Sequence, residues 1–332
     1  MMKHFSKNKA LVVTLAFLMG TGAAAAQTTM KIANVAPASH PSGIVLQEIA
    51  DALNARDDIN LDVQVFNDGV LGSEMETLDQ INSGVLEGQV AQGISIFQPY
   101  SPQFGVEELP FLFPTREAAY AAVDGEFGQL IAAKAEEHGF KILAFWENGF
   151  RHFTNSKRAI VVPSDMSGLR FRTAESQIRL AMFASLGASA VALPFTELYA
   201  ALQQGVVDGQ ENPLALISKA SLANVQKYLS TSGHIWNAAP IVVSKVWWDG
   251  LDQPTQSAVQ TAFDEAKMRE RQLIAQGDEQ LVEELKAAGM EVNEVDKQAF
   301  QTATETVWAR SEETIGADLM ALARQIRGGK TQ

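Results

Sequence analysis

The 332-residue chain has no cysteine at all. That excludes disulfides, thiolate metal ligands and a lipid-modified cysteine, so the fold has to be held by its apolar core alone. Common catalytic signatures are missing as well. There is no G-x-x-x-x-G-K-[ST], no G-x-G-x-x-G, no H-E-x-x-H and no G-x-S-x-G. Histidine is scarce: the four after residue 26, His40, His138, His152 and His234, stand too far apart to suggest a local metal site. Neither a metal nor a cofactor is therefore expected. Basic charge is also in short supply, with 26 Lys+Arg against 39 Asp+Glu. Such a surface repels nucleic acid and anionic lipid, so a small anion can be held only where local cations overrule the global field.

Long apolar runs are absent too. "MMKHFSKNK" carries Lys3, Lys7 and Lys9, "ALVVTLAFLMG" is too short to span a bilayer, and "GAAAA" supplies small residues before Gln27. Residues 1–26 read as a signal peptide cut after Ala26, which predicts a periplasmic protein with no direct membrane insertion. Removing those three lysines leaves 23 basic against 39 acidic residues, a net charge of −16. About 300 mature residues exceed a comfortable single core, so two domains are expected. No repeat, low-complexity tract or Pro/Gly/Ser-rich linker separates them, which predicts a chain that crosses between the two more than once.

The residues present alternate between strand and helix patterns. "MKIANVA" reads as a strand and 41–54 as a helix with Ile44, Leu46, Ile49, Ala50 and Leu53 on its apolar stripe. "INLDVQVFN" alternates, and "GSEMETLDQINSG" opens on a capping box of Ser73 and Glu76 and closes at Gly84. Further strands are expected in "LEGQVAQGISIF", "FKILAFWENGF" and, twice, in "RAIVVPSDMSGLRFRT". "SQIRLAMFASLG" predicts a helix, and "LPFTELYAALQQG" another capped by Thr196 and ended at Gly205. After Pro254 helical spacing continues to about Ala288 without a proline. The order indicates an α/β fold with a largely parallel sheet.

Ligands of open α/β sheets bind beyond the carboxyl ends of strands. Polar residues collect there. Arg151 follows "FWENGF", Arg172 and Glu175 end "LRFRTAE", and Glu211 and Asn212 follow "VVDGQ". In "SGLRFRTAES", alternation puts Arg170 and Arg172 on one face of a strand, where two guanidiniums ask for an anion. That anion is either a protein carboxylate or a ligand.

These segments resemble the solute-binding proteins of tripartite ATP-independent periplasmic (TRAP) transporters, the C4-dicarboxylate-binding family. The likeness runs through "GVLGSEMETLDQINSGVLE", "VEELPFLF", "NGFRHFTNSKRAIVVPSDMSGLRFRT", "LPFTELYAALQQGVVDGQENPL" and "VQKYLSTSGHIWN", nearly the whole mature chain. It implies two α/β lobes with a ligand cleft between them, joined by crossing strands and a long helix that braces both. The lobes are expected at 27–148 with 238–277, and at 149–237 with 278–332. It implies a small organic acid as ligand and an integral-membrane TRAP permease as partner. Arg172 would clamp the ligand carboxylate, with Arg151 and Asn212 beside it and Phe195 as an aromatic wall. Gln92 and His40 would line the other lobe, and Trp236 would close one side. Glu175 leaves the ligand open: facing the ligand it favours a hydroxylated sugar acid over a C4-dicarboxylate, and paired with Arg151 or Arg170 it favours neither. A periplasmic enzyme acting on sugar acids, with His40 and Glu175 or Glu211 as acid and base, and a sensor subunit are the competing readings.

Overall fold

The computed structural model describes residues 27–329, so the expected signal peptide lies outside the described residues. The described residues form ten strands: β1 (Thr28–Asn34), β2 (Leu61–Phe66), β3 (Gly88–Val90), β4 (Phe140–Asn155), β5 (Arg170–Thr173), β6 (Ser189–Ala192), β7 (Gly209–Pro213), β8 (Tyr228–Thr231), β9 (Trp236–Ser244) and β10 (Glu291–Glu294). They run in the order β2-β1-β3-β9-β4-β7-β5-β6, with β8 bridging β4 and β10. The flanks are parallel, as β1 with β2 and β5 with β6. The centre is antiparallel, because β9 pairs with both β3 and β4.

β4 joins two halves. From Phe140 to Phe150 it pairs with β9, and from Arg151 to Asn155 with β7. Its pairing slips between Glu147 and Gly149, where Gly149 adopts φ +119, a conformation a side chain disfavours. The helix Gln253–Ala287 runs 35 residues, about 50 Å at the usual rise. Ala258, Val259 and Phe263 pack into the core around β1 and β9, while Ile274, Leu281 and Leu285 pack into the core around β8 and the helices Phe195–Gln203 and Leu214–Lys219. A third core, built on Phe97, Phe104, Phe127, Phe153, Phe171 and Phe183, lies between 3-10 turns and the helices Gln177–Ser185 and Lys297–Ile315.

Local departures from the sequence pattern have physical causes. The helix Pro41–Asn54 buries Val45 with Leu46, Ile49, Ala50 and Leu53, leaving Ile44 40% exposed. "RAIVVPSDM" forms no strand; Pro163 starts a 3-10 turn that Asp165 caps by accepting from Val161 N and Val162 N at 2.9 Å each. The helix Phe195–Gln203 starts after Pro194 rather than at Thr196. The strand expected in "LEGQVAQGISIF" stops at Val90, and a 3-10 turn, Ile94–Phe97, follows. The capping box is as expected: Ser73 N donates to Glu76 at 2.8 Å and Glu76 N to Ser73 Oγ at 3.4 Å.

Candidate functional site

Residues of β4, β5 and β7 converge with the start of the helix Glu74–Asn82 on one cavity. Its wall includes Glu74, Gln92, Arg151, Arg172, Glu175, Arg179, Leu193, Phe195, Asn212 and Leu216. Six of the eight residues singled out from the sequence are therefore brought together. His40 and Trp236 are not on this wall.

His40 is occupied elsewhere. It caps the helix Pro41–Asn54, its Nδ1 accepting from Ser42 N at 3.2 Å and lying 2.9 Å from Ser42 Oγ. Because that hydroxyl already accepts from Asn34 Nδ2 at 3.2 Å, it donates to Nδ1, which places the imidazole proton on Nε2. Burial, with Lys219 adding to it, lowers the His40 pKa to about 3. The unfolded chain takes up this proton below pH 6.5 and the folded chain does not, so His40 removes stability as pH falls from 6.5 toward 3, by about 1.4 kcal/mol per pH unit. His40→Asn keeps a capping acceptor and should flatten that part of the slope, read as the difference between the two proteins in urea denaturation at pH 6.5, 5.5 and 4.5. Parallel slopes would refute it. Trp236 is buried as well: its indole Nε1 donates to Glu147 Oε1 at 2.9 Å and its ring meets Phe113 edge-on at 5.2 Å.

Charges under the cavity form a chain. Arg151, on β4, donates through Nε and Nη2 to the Glu211 carboxylate and through Nη2 to Asn212 Oδ1 at 2.9 Å. Glu211 also takes Arg179 Nη1 at 3.1 Å, and Arg179 closes its other edge on Glu108, with Nη2 to Oε1 at 2.7 Å. Asn237 ties both arginines together, accepting from Arg179 Nη2 at 2.9 Å and from Arg151 Nη1 at 3.4 Å. Burial pushes the Glu211 carboxyl up, but Arg151 and Arg179 outweigh it and hold the group well below the usual carboxylate range.

Arg179 and Glu108 did not stand out in the sequence. Both carried a signal, however. Arg179 falls between Ile178 and Met182 on the buried side of its helix, and Glu107-Glu108 precede the apolar "LPFLF". A charge on an apolar face requires a partner.

Arg172 differs from its neighbours. It is 2% exposed, and its one protein hydrogen bond runs from Nε to Leu193 O at 2.8 Å. Among the described residues no carboxylate forms an ion pair with Arg172, which lines the cavity with no protein acceptor on its Nη atoms. Burial pulls its pKa down to about 9; Glu211 opposes this, while Arg151 and Arg179 reinforce it. Arg170, two residues earlier, is 54% exposed at the side chain and donates to Gly205 O at 2.8 Å and to Asp208 at 3.4 Å. The same-face pair is thus divided: Arg170 meets a protein carboxylate and Arg172 does not. Glu175 sits exposed at the rim and forms no ion pair with either Arg151 or Arg170.

Across the cavity, Glu74 accepts from Gln92 N at 2.7 Å, and burial raises its pKa against that hydrogen bond and the charge of Arg172. At the far side of Phe195, Gly69 adopts φ +65 and lies so close to Thr196 that a Cβ there would come within 2.6 Å of Cγ2. Only a glycine permits that approach. Among the described residues no cluster of three or more His, Asp or Glu is arranged to hold a metal ion, and no helix is long and apolar enough to cross a membrane.

Relatives with this architecture are known. A TRAP solute-binding protein from Polaromonas sp. JS666, solved with D-erythronate, is 31% identical with a TM-score of 0.85 over 90% of this chain and 98% of that one. A second, from Sulfurospirillum deleyianum, solved with succinate, is 29% identical with a TM-score of 0.86 over 91% and 99%. The 2,3-diketo-L-gulonate-binding periplasmic protein YiaO of Escherichia coli is 32% identical over 261 residues, 78% of this chain and 79% of its own. The family model described as bacterial extracellular solute-binding protein, family 7 (DctP) matches residues 32–314. With an α/β fold like that of the two-lobed TRAP binding proteins and a family match over most of its length, the chain belongs to the DctP family of solute-binding proteins.

Proposed function

We propose that this chain captures a small organic acid by closing over it, with Arg172 as the carboxylate clamp, and hands it to a TRAP-type membrane permease. The observation that carries the reading is the state of Arg172. A guanidinium buried to 2% with a single protein hydrogen bond is costly unless an anion completes its fork. Arg151 shapes the wall instead of competing for the same anion, since Glu211 and Asn212 already engage it. Asn212, Gln92 and Phe195 border the ligand, and Glu175 stands at its mouth. The lobes divide at 27–148 with 238–277 and at 149–237 with 278–332, consistent with the change of partner along β4 at Arg151. Ligand bridging the two would stabilise the shut form, letting the permease tell loaded from empty protein by shape. The periplasmic relative named above and the signal-like residues 1–26 support an exported, periplasmic protein.

No chemistry is needed for this role, and the enzyme reading loses its acid–base pair because His40 is spent on a helix cap away from the cavity. A thermal-shift panel of organic acids tests the proposal. At 100 times Kd a true ligand adds about 2.7 kcal/mol of stability, a clear rise in midpoint. A panel of aldonates, uronates and dicarboxylates that leaves the midpoint unmoved would refute it, and turnover of any of them would favour the enzyme.

A further inference from the structure

We propose that Glu74 sets the ligand class: it receives hydroxyl groups of an acid whose single carboxylate is held by Arg172, and it turns away a second carboxylate. This inference rests on the Arg172 reading above and adds to it the chemistry of the opposite wall.

The first observation is a charge ledger. Of the three arginines on the cavity, Arg151 and Arg179 are committed to Glu211 and Glu108, so among the described residues Arg172 is the uncommitted cation of the lining. The other charged groups there, Glu74 and Glu175, are acidic. One free cation cannot compensate a dicarboxylate. Its second carboxylate would be desolvated beside a like charge, the case in which burial is most costly.

The second observation is a surplus of acceptors facing that cation. Glu74 uses one oxygen to accept from Gln92 N at 2.7 Å; among the described residues its other oxygen has no donor, and no lysine or arginine forms an ion pair with it. Gln92 Oε1 is buried without a hydrogen-bond partner. The orientation of that amide is fixed by its neighbours. Ala36 N donates to Asn34 Oδ1 at 3.1 Å, so the Gln92 group beside the same oxygen, at 3.4 Å, must be its NH2, and Oε1 is left for something else. Two unfilled acceptors select a donor. Ligand hydroxyls would satisfy both, the one on Glu74 as a charge-assisted hydrogen bond. An analogue without hydroxyls leaves them buried and unpaired, which is how a polar site rejects a near-isostere most strongly.

D-Erythronate and succinate share a four-carbon chain and differ in what stands at the far end. Calorimetry at pH 8 with these two acids and D-galacturonate, on wild type, Glu74→Gln and Arg172→Ala, separates the claims. The expected result is that wild type binds a hydroxylated acid at least tenfold tighter than succinate, and that Glu74→Gln shrinks this ratio fivefold or more. A wild type that prefers succinate, or a Glu74→Gln protein whose ratio changes less than fivefold while Arg172→Ala still abolishes binding, overturns the role of Glu74 and leaves the clamp standing. A wild type blind to all three acids, or an Arg172→Ala protein that binds normally, overturns both. If Glu74→Gln fails to fold, the wild-type preference and the charge-keeping Glu74→Asp, expected to retain the selectivity, decide the matter.

Discussion

Replacing Arg172 with alanine should abolish binding of every organic acid that raises the wild-type midpoint, a loss of at least ~100-fold in calorimetric affinity. The ligand carboxylate would enter a cavity where Arg151 and Arg179 are already engaged by Glu211 and Glu108, leaving it no cation within reach. Arg172→Lys should recover little, because a point charge cannot reproduce a planar fork held in place by the bond from Nε to Leu193 O. Stability should move the other way. Arg172 is buried without an ion pair and its pKa is lowered to about 9, so the empty protein carries it at a cost. Arg172→Ala should therefore unfold in urea at the wild-type concentration or above it. A variant that binds normally, or that loses binding only because it unfolds, would count against the clamp.

Arg179→Met should have the largest effect on the fold itself, lowering stability by ~3–5 kcal/mol in urea denaturation. Methionine fills much of the same volume but leaves Glu108 with no cation and Glu211 with one arginine in place of two. Both carboxylates are fully buried, so neither can turn to water. Because Arg179 also donates to Asn237 on β9, the change removes one of the ties between the helix Gln177–Ser185 and the central strands. Arg179→Lys should restore only part of the loss, since one ammonium cannot bridge two carboxylates with fixed geometry. An unchanged urea midpoint in Arg179→Met would show that the charge chain is not what holds this corner.

Much of this was legible in the sequence, and the boundary of legibility is physical. The strands at β1 and β2, the helix Pro41–Asn54, the Ser73 capping box and the 35-residue helix carry local signals, periodicity and caps, that tertiary packing did not override. The 3-10 turns between Ile94 and Glu108 have no such period and went unread. "RAIVV" has the β-branched residues of a strand, yet side chains take its N–H groups, Ser230 Oγ that of Ile160 and Asp165 those of Val161 and Val162. At the site, Arg172, Arg151 and Asn212 could be placed because strand ends and turn motifs mark them. Which arginine was free could not be, since that depends on Glu211 and Glu108, the latter 71 residues from its partner Arg179. Glu74 was masked by its own context: as the first residue of a capped helix it passed for a dipole-complementing carboxylate. Only the family resemblance points His40 toward the ligand, and the hydrogen bond from Ser42 N accounts for it without one.

β4 and the long helix each pass between packed cores, which bears on how such a protein can be altered. Neither side of the sheet is one contiguous stretch of chain: β9 returns to pair with β3 after residues 151–231 have built β7, β5, β6 and β8, and β10 pairs with β8 only after the long helix. Recombination that replaces one half wholesale would sever both crossings. Point changes on the cavity wall, at positions such as Glu74 and Glu175, leave both crossings intact.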